Sequence, residues 1–299
     1  MKKIVTHDSN FHADDAFAVA SLQIYLDKLG EKYKVIRSRD PEIWAVGDYV
    51  VDTGNIYDED KNRFDHHQPE FTDKGFLDIP HSSFGLVWKH FGKILCDNNK
   101  RVWEKIRNEF VTVIDANDNG IITSQPSIAG LRPLDPETFI FSFRPSYSER
   151  TEENLYKGFL EAVKFAKGFL EREIHKELQK EEMREEFEQV LKSKKNILKT
   201  DSLKALILPK PIPWKDFLKE ENDFDFVVFE RDDEKWMAQS VTPNKSTMKP
   251  KVVKKSWLGL RDEELSEKVG VKNLVFYHKT GYILVGKTKE AVLEALKKI

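Results

Sequence analysis

A chain of 299 residues can bury one large core or two smaller ones. With 39% hydrophobic and 33% charged residues, and with 20 Phe and 6 Trp for the interior, the composition excludes a disordered or fibrous protein. The 49 Lys and Arg against 51 Asp and Glu leave a formal charge of −2, which excludes a global basic field. A nucleic-acid partner would have to be held by a local patch or by metal ions.

The opening "KKIVTH" (2–7) reads as a strand, not as a signal-peptide core, and no run approaches the roughly 20 apolar residues that cross a bilayer. A cytoplasmic protein with no membrane contact is therefore expected. The single cysteine, Cys96, excludes an intramolecular disulfide, fits a reducing compartment and is expected to be buried packing. Helical spacing of Ala16, Val19, Ala20 and Ile24 predicts a helix over 14–29, between "KKIVTH" and a second β-branched stretch, "YKVIRSR" (33–39). A third, "YVVDTG" (49–54), follows, so the first 150 residues predict βα units with a mostly parallel sheet covered by helices. The segment 82–95 predicts a serine-capped helix, and 101–114 another that leads into "IDANDNG".

From 152 to about 193 there is no proline, and apolar residues recur at helical intervals before a charged run, so one long helix or a helical hairpin is expected as a solvated connector. Beyond 200 the pattern turns strand-rich, at 203–209, 224–230, 235–241, 273–278 and 281–286, and closes on a helix. The expected architecture is α/β: residues 1–150 as a domain with a mostly parallel sheet, 151–199 as a helical connector, and 200–299 as a smaller α+β domain.

Four stretches of the first half carry metal-type ligands: "THDSNFHADD" (His7, His12, Asp14, Asp15), "VVDTG" (Asp52), "RFDHHQ" (Asp65, His66, His67) and "IDANDNG" (Asp115, Asp118). In open α/β sheets, side chains from several strands meet at the carboxyl ends. Carboxylates gathered there would repel and protonate unless a cation sat among them. A mixed oxygen and imidazole shell suits divalent manganese, iron or zinc. Two ions about 3.5–4 Å apart, bridged by a carboxylate, can activate a water and stabilise both oxygens of an in-line phosphoryl displacement. Asp52 is the natural bridge. Taken singly, a His-His pair is more often a polar surface feature, and a strand-terminal Asp more often a helix cap. The recurrence after successive βα units is what carries weight.

The strings "THDSNFHADDAFA", "VIRSRDPE", "VVDTGNIYD", "RFDHHQPEF", "SSFGLVWKHFG" and "DANDNGI", then "PWKDFL", "WMAQSV", "SWLGLRDEELS" and "GKTKEAVLEAL", run nearly end to end and resemble the Myg (melanocyte proliferating gene) family. That family is also labelled metal-dependent protein hydrolase, contains 3′-to-5′ RNA exonucleases, and is similar to the wider DHH phosphoesterase superfamily. The resemblance implies a DHH-type domain, two divalent ions with Mn2+ first and Mg2+ or Zn2+ as alternatives, and His7, His12, Asp14, Asp52, His66 and Asp115 as ligands, with Asp118 competing for the last place. It implies that Asp65 orients a neighbouring imidazole, that His67 faces the substrate phosphate as donor or general acid, and that Asp15 is supporting. The implied activity is a phosphodiesterase, foremost a 3′-to-5′ exonuclease on RNA or short single strands. A small-molecule phosphohydrolase is the nearest alternative, and a non-catalytic metal-stabilised binding protein the more distant one. A homodimer is allowed.

On the substrate side, Arg37 and Arg39 lie two residues apart at a strand end, where they could grip phosphate or pair with Asp40 and Glu42. The stretch 242–261 holds five lysines, an arginine and a tryptophan without an acid. There Lys254 and Lys255 are candidates for following a nucleic-acid backbone, while Trp257 more naturally anchors to the core. "HKTGYILVGKT" resembles the glycine loop with which DHH proteins meet substrate, so amides freed by Gly281 and Gly286, with Lys287, are candidates for a terminal phosphate. The chain departs from the family at Leu284-Val285-Gly286, where paired glycines are common, and at "FRPSY" (143–147).

Overall fold

The computed structural model describes all residues except 126, 127, 129, 132, 133, 219–222, 242–249 and 251. The chain divides into two compact units, Met1–Gln179 and Lys180–Ile299.

The first unit alternates strand and helix. β1 (Lys2–Thr6) is followed by α1 (Ala13–Lys28), β2 (Tyr33–Arg37), α2 (Pro41–Ala45), β3 (Tyr49–Val51), β4 (Tyr57–Asp58) and β5 (Arg63–Phe64). Then come α3 (Ser83–Leu95), α4 (Lys100–Ile106), a π-helical turn (Arg107–Val111), α5 (Thr112–Asp118), α6 (Pro136–Phe141) and α7 (Glu152–Glu182). The sheet runs in the order β2-β1-β3-β5-β4, with the first four strands parallel and only β4 antiparallel. Ile4 and Val51 of the sheet are fully buried with Phe17, Leu22, Phe84 and Trp88 of α1 and α3 in one core. Because β1, β3 and β5 are adjacent and parallel, their carboxyl ends lie along one edge at the usual spacing of about 4.8 Å. The residues that follow them, His7, Asp52 and Asp65 to His67, are thereby carried to one place.

The helix expected over 101–114 does not stop before "IDANDNG". It passes through the π-helical turn and continues as α5, so Asp115 and Asp118 lie on a helix. Thr112 Oγ1 donates to the carbonyl of Arg107 (2.9 Å), the same oxygen that accepts the Thr112 amide across the widened turn. The expected connector also differs in detail. α7 buries Leu155, Phe159, Ala162, Val163, Ala166 and Leu170 in the first core, and the boundary between units falls inside that helix.

The second unit contains α8 (Arg184–Lys192), β6 (Ile197–Lys199), β7 (Lys204–Ile207), α9 (Trp214–Phe217), β8 (Phe226–Glu230), β9 (Trp236–Ser240), α10 (Asp262–Val269), β10 (Leu274–Tyr277), β11 (Ile283–Gly286) and α11 (Lys289–Leu296). Its sheet order is β10-β11-β9-β8-β7-β6, antiparallel except between β7 and β8. One face packs against Leu265 of α10 and Val292 and Leu296 of α11, and the other against Phe187 and Val190 of α8. Trp257 is buried in the former cluster, as an anchoring residue would be. Among the described residues no helix is long and apolar enough to cross a membrane.

Candidate metal centre

Three strand ends and two helices converge on the first unit's carboxyl edge. His7, one residue past β1, places Nε2 3.1 Å from Asp15 Oδ2 and 3.1 Å from Asp52 Oδ2. Its Nδ1 lies 2.8 Å from the Asp8 carbonyl oxygen, which can only accept, so the ring turns Nε2 towards the acids. Burial opposes protonation, but the two carboxylates outweigh it and hold the His7 pKa up at about 10.

Asp52, one residue past β3, is 5% exposed and sits at φ 52°, in the left-handed region, so the chain turns sharply at the carboxylate itself. Strained backbone of this kind persists only where the surroundings hold it. Ser83 Oγ, at the start of α3, donates to Asp52 Oδ1 (3.0 Å), and His66 Nε2 approaches the same oxygen at 3.5 Å. Burial alone would raise the Asp52 carboxyl, yet the imidazoles of His66 and His7 bring it well below the usual carboxylate range.

Asp14 and Asp15 open α1 and are both buried. Asp15 Oδ1 accepts from the His12 backbone amide (2.9 Å), which leaves Oδ2 for the His7 approach. Asp14 differs: at 1% exposure neither of its oxygens has a hydrogen-bond partner. Burial first, then repulsion from Asp52 and Asp118, pushes its carboxyl well above the ordinary value. His66 Nε2 is 4.0 Å from Asp14 Oδ2 and 3.2 Å from Asp118 Oδ2, but is aligned for a hydrogen bond with neither.

The sets His7, Asp15 and Asp52; Asp52, His66 and His67; and Asp14, His66 and Asp118 each present ligand atoms within 4.8 Å of one another. Asp52 belongs to two of the sets and His66 to two. An isolated buried carboxylate costs roughly several kcal/mol, and buried acids are therefore paired, protonated or bound to a cation. Here both carboxylate oxygens of Asp14 and Nε2 of His66, which lies 4.0 Å from Asp14 Oδ2, are left without a hydrogen-bond partner. The donor set, imidazole nitrogens with carboxylates, fits divalent first-row ions.

The structure separates the two acids that compete in sequence. Asp118 joins the cluster, whereas Asp115 is turned to His81 and Ser82. Asp115 Oδ2 lies 3.1 Å from His81 Nδ1, and Oδ1 accepts from Ser82 Oγ (2.7 Å) and the Ser82 amide (3.0 Å). In this arrangement Asp115 is a buried tie between α5 and the start of α3 and stands outside the three sets. His12 is in none of the three sets; its ring lies 6.2 Å from that of His7, at the rim. Asp15, assigned only support from sequence, stands among the candidate ligands.

Asp65 orients the second imidazole of the doublet. Its Oδ1 is 2.7 Å from His67 Nδ1 and accepts from the His67 amide (3.2 Å), while Oδ2 accepts from the Asn55 amide (2.6 Å). The hydrogen bond to Asp65 holds the His67 imidazole above its ordinary pKa, and the side chain is 58% exposed with Nε2 left outward.

The expectation for Arg37 needs correction. Arg37 spends its guanidinium on backbone: Nε donates to the His7 carbonyl (3.0 Å), and Nη2 to those of Ser9 (2.9 Å) and Asn10 (3.3 Å). It clamps the loop between β1 and α1 while stacking over Phe159 (4.6 Å), so it is no phosphate grip. Arg39 is 61% exposed, with Nε at 3.2 Å from Asp8 Oδ1. Sequence reasoning missed Arg144, whose Nε donates to the Phe11 carbonyl (2.9 Å), and Glu137, whose Oε2 accepts from the Ala13 amide (2.7 Å) at the first turn of α1.

In the second unit the glycine loop is already hydrogen-bonded. The Gly281 amide donates to the His278 carbonyl (2.8 Å) at φ 76°, and a Cβ there would meet Val253 at 2.7 Å. Gly286 is paired within β11 and lets α11 approach, and the Lys287 amide donates to Asn273 (2.7 Å). The two glycines thus have turn and packing roles and are not freed amides, while the Lys287 side chain is exposed. Lys254 Nζ donates to the Ile299 carbonyl (3.4 Å) beside Trp257, and Lys255 is exposed. Most of the basic stretch that precedes them, 242–249 and 251, lies outside the described residues.

The family model of the MYG1 exonuclease type, described as "Uncharacterised protein family (UPF0160)", matches residues 3–299. The MYG1 protein of Schizosaccharomyces pombe is 33% identical over 99% of this chain and 96% of its own length, and that of Saccharomyces cerevisiae is 32% identical over 99% and 95%. A rat protein named MYG1 exonuclease is 28% identical over 97% of this chain and 82% of its own. Among solved structures, RecJ of Thermus thermophilus in complex with Mn2+ matches at 15% identity, covering 99% of this chain and 51% of that one. The TM-score is 0.27, too low to carry fold or chemistry across.

Proposed function

The chain belongs to the MYG1 family (UPF0160), and from that premise we propose that it is a metal-dependent phosphodiesterase. The substrate proposed is the end of an RNA or short single strand, digested 3′ to 5′, with two divalent ions, Mn2+ first. The name "MYG1 exonuclease" of mammalian relatives supports the class of reaction. The observation that carries the reading is Asp14: a carboxyl 1% exposed, with both oxygens unpartnered, facing His66 and Asp118.

His7, Asp14, Asp15, Asp52, His66 and Asp118 would hold the ions, with Asp52 within reach of both His7 and His66. When bound, divalent ions supply charge neutralisation at phosphorus and a more acidic water. The chain's own residues do the rest. Ser83 and His7 fix the Asp52 carboxylate, and Asp65 holds Nδ1 of His67 so that Nε2 points outward, where it can give a proton to the departing oxygen. Arg37 fixes the 7–10 loop and so the position of His7.

Labelled RNA tests the reading. The purified protein with Mn2+ should release mononucleotides, a chelator should abolish release, and His66→Ala should lower the rate by about 100-fold or more. Pyrophosphate and dinucleotides assayed alongside separate a polymer enzyme from a small-molecule one. A wild-type protein inert on all of them with every divalent ion would end the proposal.

A further inference from the structure

Next to the doublet, in the first unit, lies a shallow, open cavity of about 650 Å³ lined in part by Ile56, Tyr57, Gln68, Glu70, Phe71 and Asp73. Two of these residues tie it to the candidate centre. Gln68 follows His67 and donates from Nε2 to the Asp65 carbonyl (3.0 Å), and the Phe71 ring lies 6.2 Å from that of His66. The size suits a small organic ligand.

The lining says which kind. Tyr57 and Phe71 meet edge to face at 6.2 Å, and Ile56, 52% exposed, adds an apolar side chain that water touches. Among the described residues no lysine, arginine or histidine lines the cavity, while two carboxylates, Glu70 and Asp73, do. The nearby ammonium of Lys89 is 2.6 Å from Asp73 Oδ2 and stacks at 5.5 Å on Tyr57, and is committed to both. A phosphate would therefore be repelled from this cavity. A flat, uncharged ring with amino donors would be accepted, because aromatic and aliphatic walls stack it and the acids take its hydrogens.

We infer that the cavity holds the base of the terminal nucleotide whose phosphate meets the centre of Asp14, Asp52 and His66. The inference rests on the phosphodiesterase reading and deepens it: a base pocket beside the reacting phosphate selects chain ends that carry a nucleobase.

Calorimetric titration of the Mn2+-loaded protein with AMP and with ribose 5-phosphate reads the base alone, since sugar and phosphate are shared. AMP should bind about tenfold more tightly, the worth of one base stacked on an aromatic wall. Tyr57→Ala and Ile56→Glu should each shrink that ratio towards one. Equal affinities in the wild type, or a ratio that survives both variants, would overturn the pocket. If Mn2+-dependent RNA hydrolysis persists in that case, the phosphodiesterase reading stands without it. A wild type inert on RNA, dinucleotides and pyrophosphate alike removes both.

Discussion

At the scale of single residues, two acids three positions apart on α5 have opposite work. Asp118 faces His66 and Asp14 and would be satisfied by an ion, whereas Asp115 is already satisfied by His81 and Ser82. Asp118→Asn should therefore weaken divalent-ion binding by at least about tenfold with little loss of metal-free stability. Asp115→Asn should cost roughly 1–3 kcal/mol, because it disturbs a buried, charge-assisted network. Thermal melts with and without Mn2+ check both; equal melting temperatures for the two metal-free variants would contradict the division. The sequence displayed His7 and Asp52 because each ends an expected strand, and His66 through the Asp-His-His string itself, all local signals. It did not display His81, Ser83 or Glu137. Their partners lie 34, 31 and 124 residues away, and no local pattern records such a contact. Arg37 misled for the same reason: alternation places it at a strand end, but only the folded loop reveals that carbonyls fill its donors.

At the scale of elements, periodicity identified the longer pieces and missed the shortest. α3 begins after Ser82 and the five late strands fall within the expected segments, since each is long enough to show its spacing. β4 and β5 are two residues long, below what alternation can register, and β5 is the strand that delivers the histidine doublet. α7 contributes a different test. Gly158 lies where a Cβ would run into the Phe143 carbonyl oxygen. Alanine is ordinarily the better helix former by about 1 kcal/mol, but a backbone oxygen cannot swing aside as a side chain can. Gly158→Ala should thus destabilise by roughly 1–3 kcal/mol net, read as a lower denaturant midpoint at unchanged slope. A gain in stability would show that the contact between α7 and the 143 turn gives way.

For the whole molecule, the sequence foresaw a change of texture near 200, from strand-helix alternation to a strand-rich second half. It placed the transition in a solvated connector because charge density is visible and burial is not. The apolar face of α7 in fact completes the first core. Cys96 reports on that core. It is fully buried, and burial pushes its thiol up to about 12, so in the folded unit it stays protonated and shielded. Because the folded pKa exceeds the unfolded one, this contribution is complete below about pH 8.5 and fades as pH climbs towards 12. If the first unit binds the ions, Mn2+ at 100 times its Kd should stabilise it by about 2.7 kcal/mol. Labelling of Cys96 by a thiol reagent should then slow by about 100-fold wherever global opening limits exposure. Labelling unaffected by Mn2+ would place the ion elsewhere.

The π-helical turn at Arg107–Val111 sets the rotational phase of everything after it. One residue removed from that turn would let it relax to ordinary α-helix, and each residue of an α-helix advances about 100° around the axis. Asp115 and Asp118 would then swing together to another side of α5, with secondary structure content scarcely altered. A length change in this short span is therefore not a harmless indel but a mis-set gear: the chain could keep its helices and lose its fourth contribution to the cation cradle.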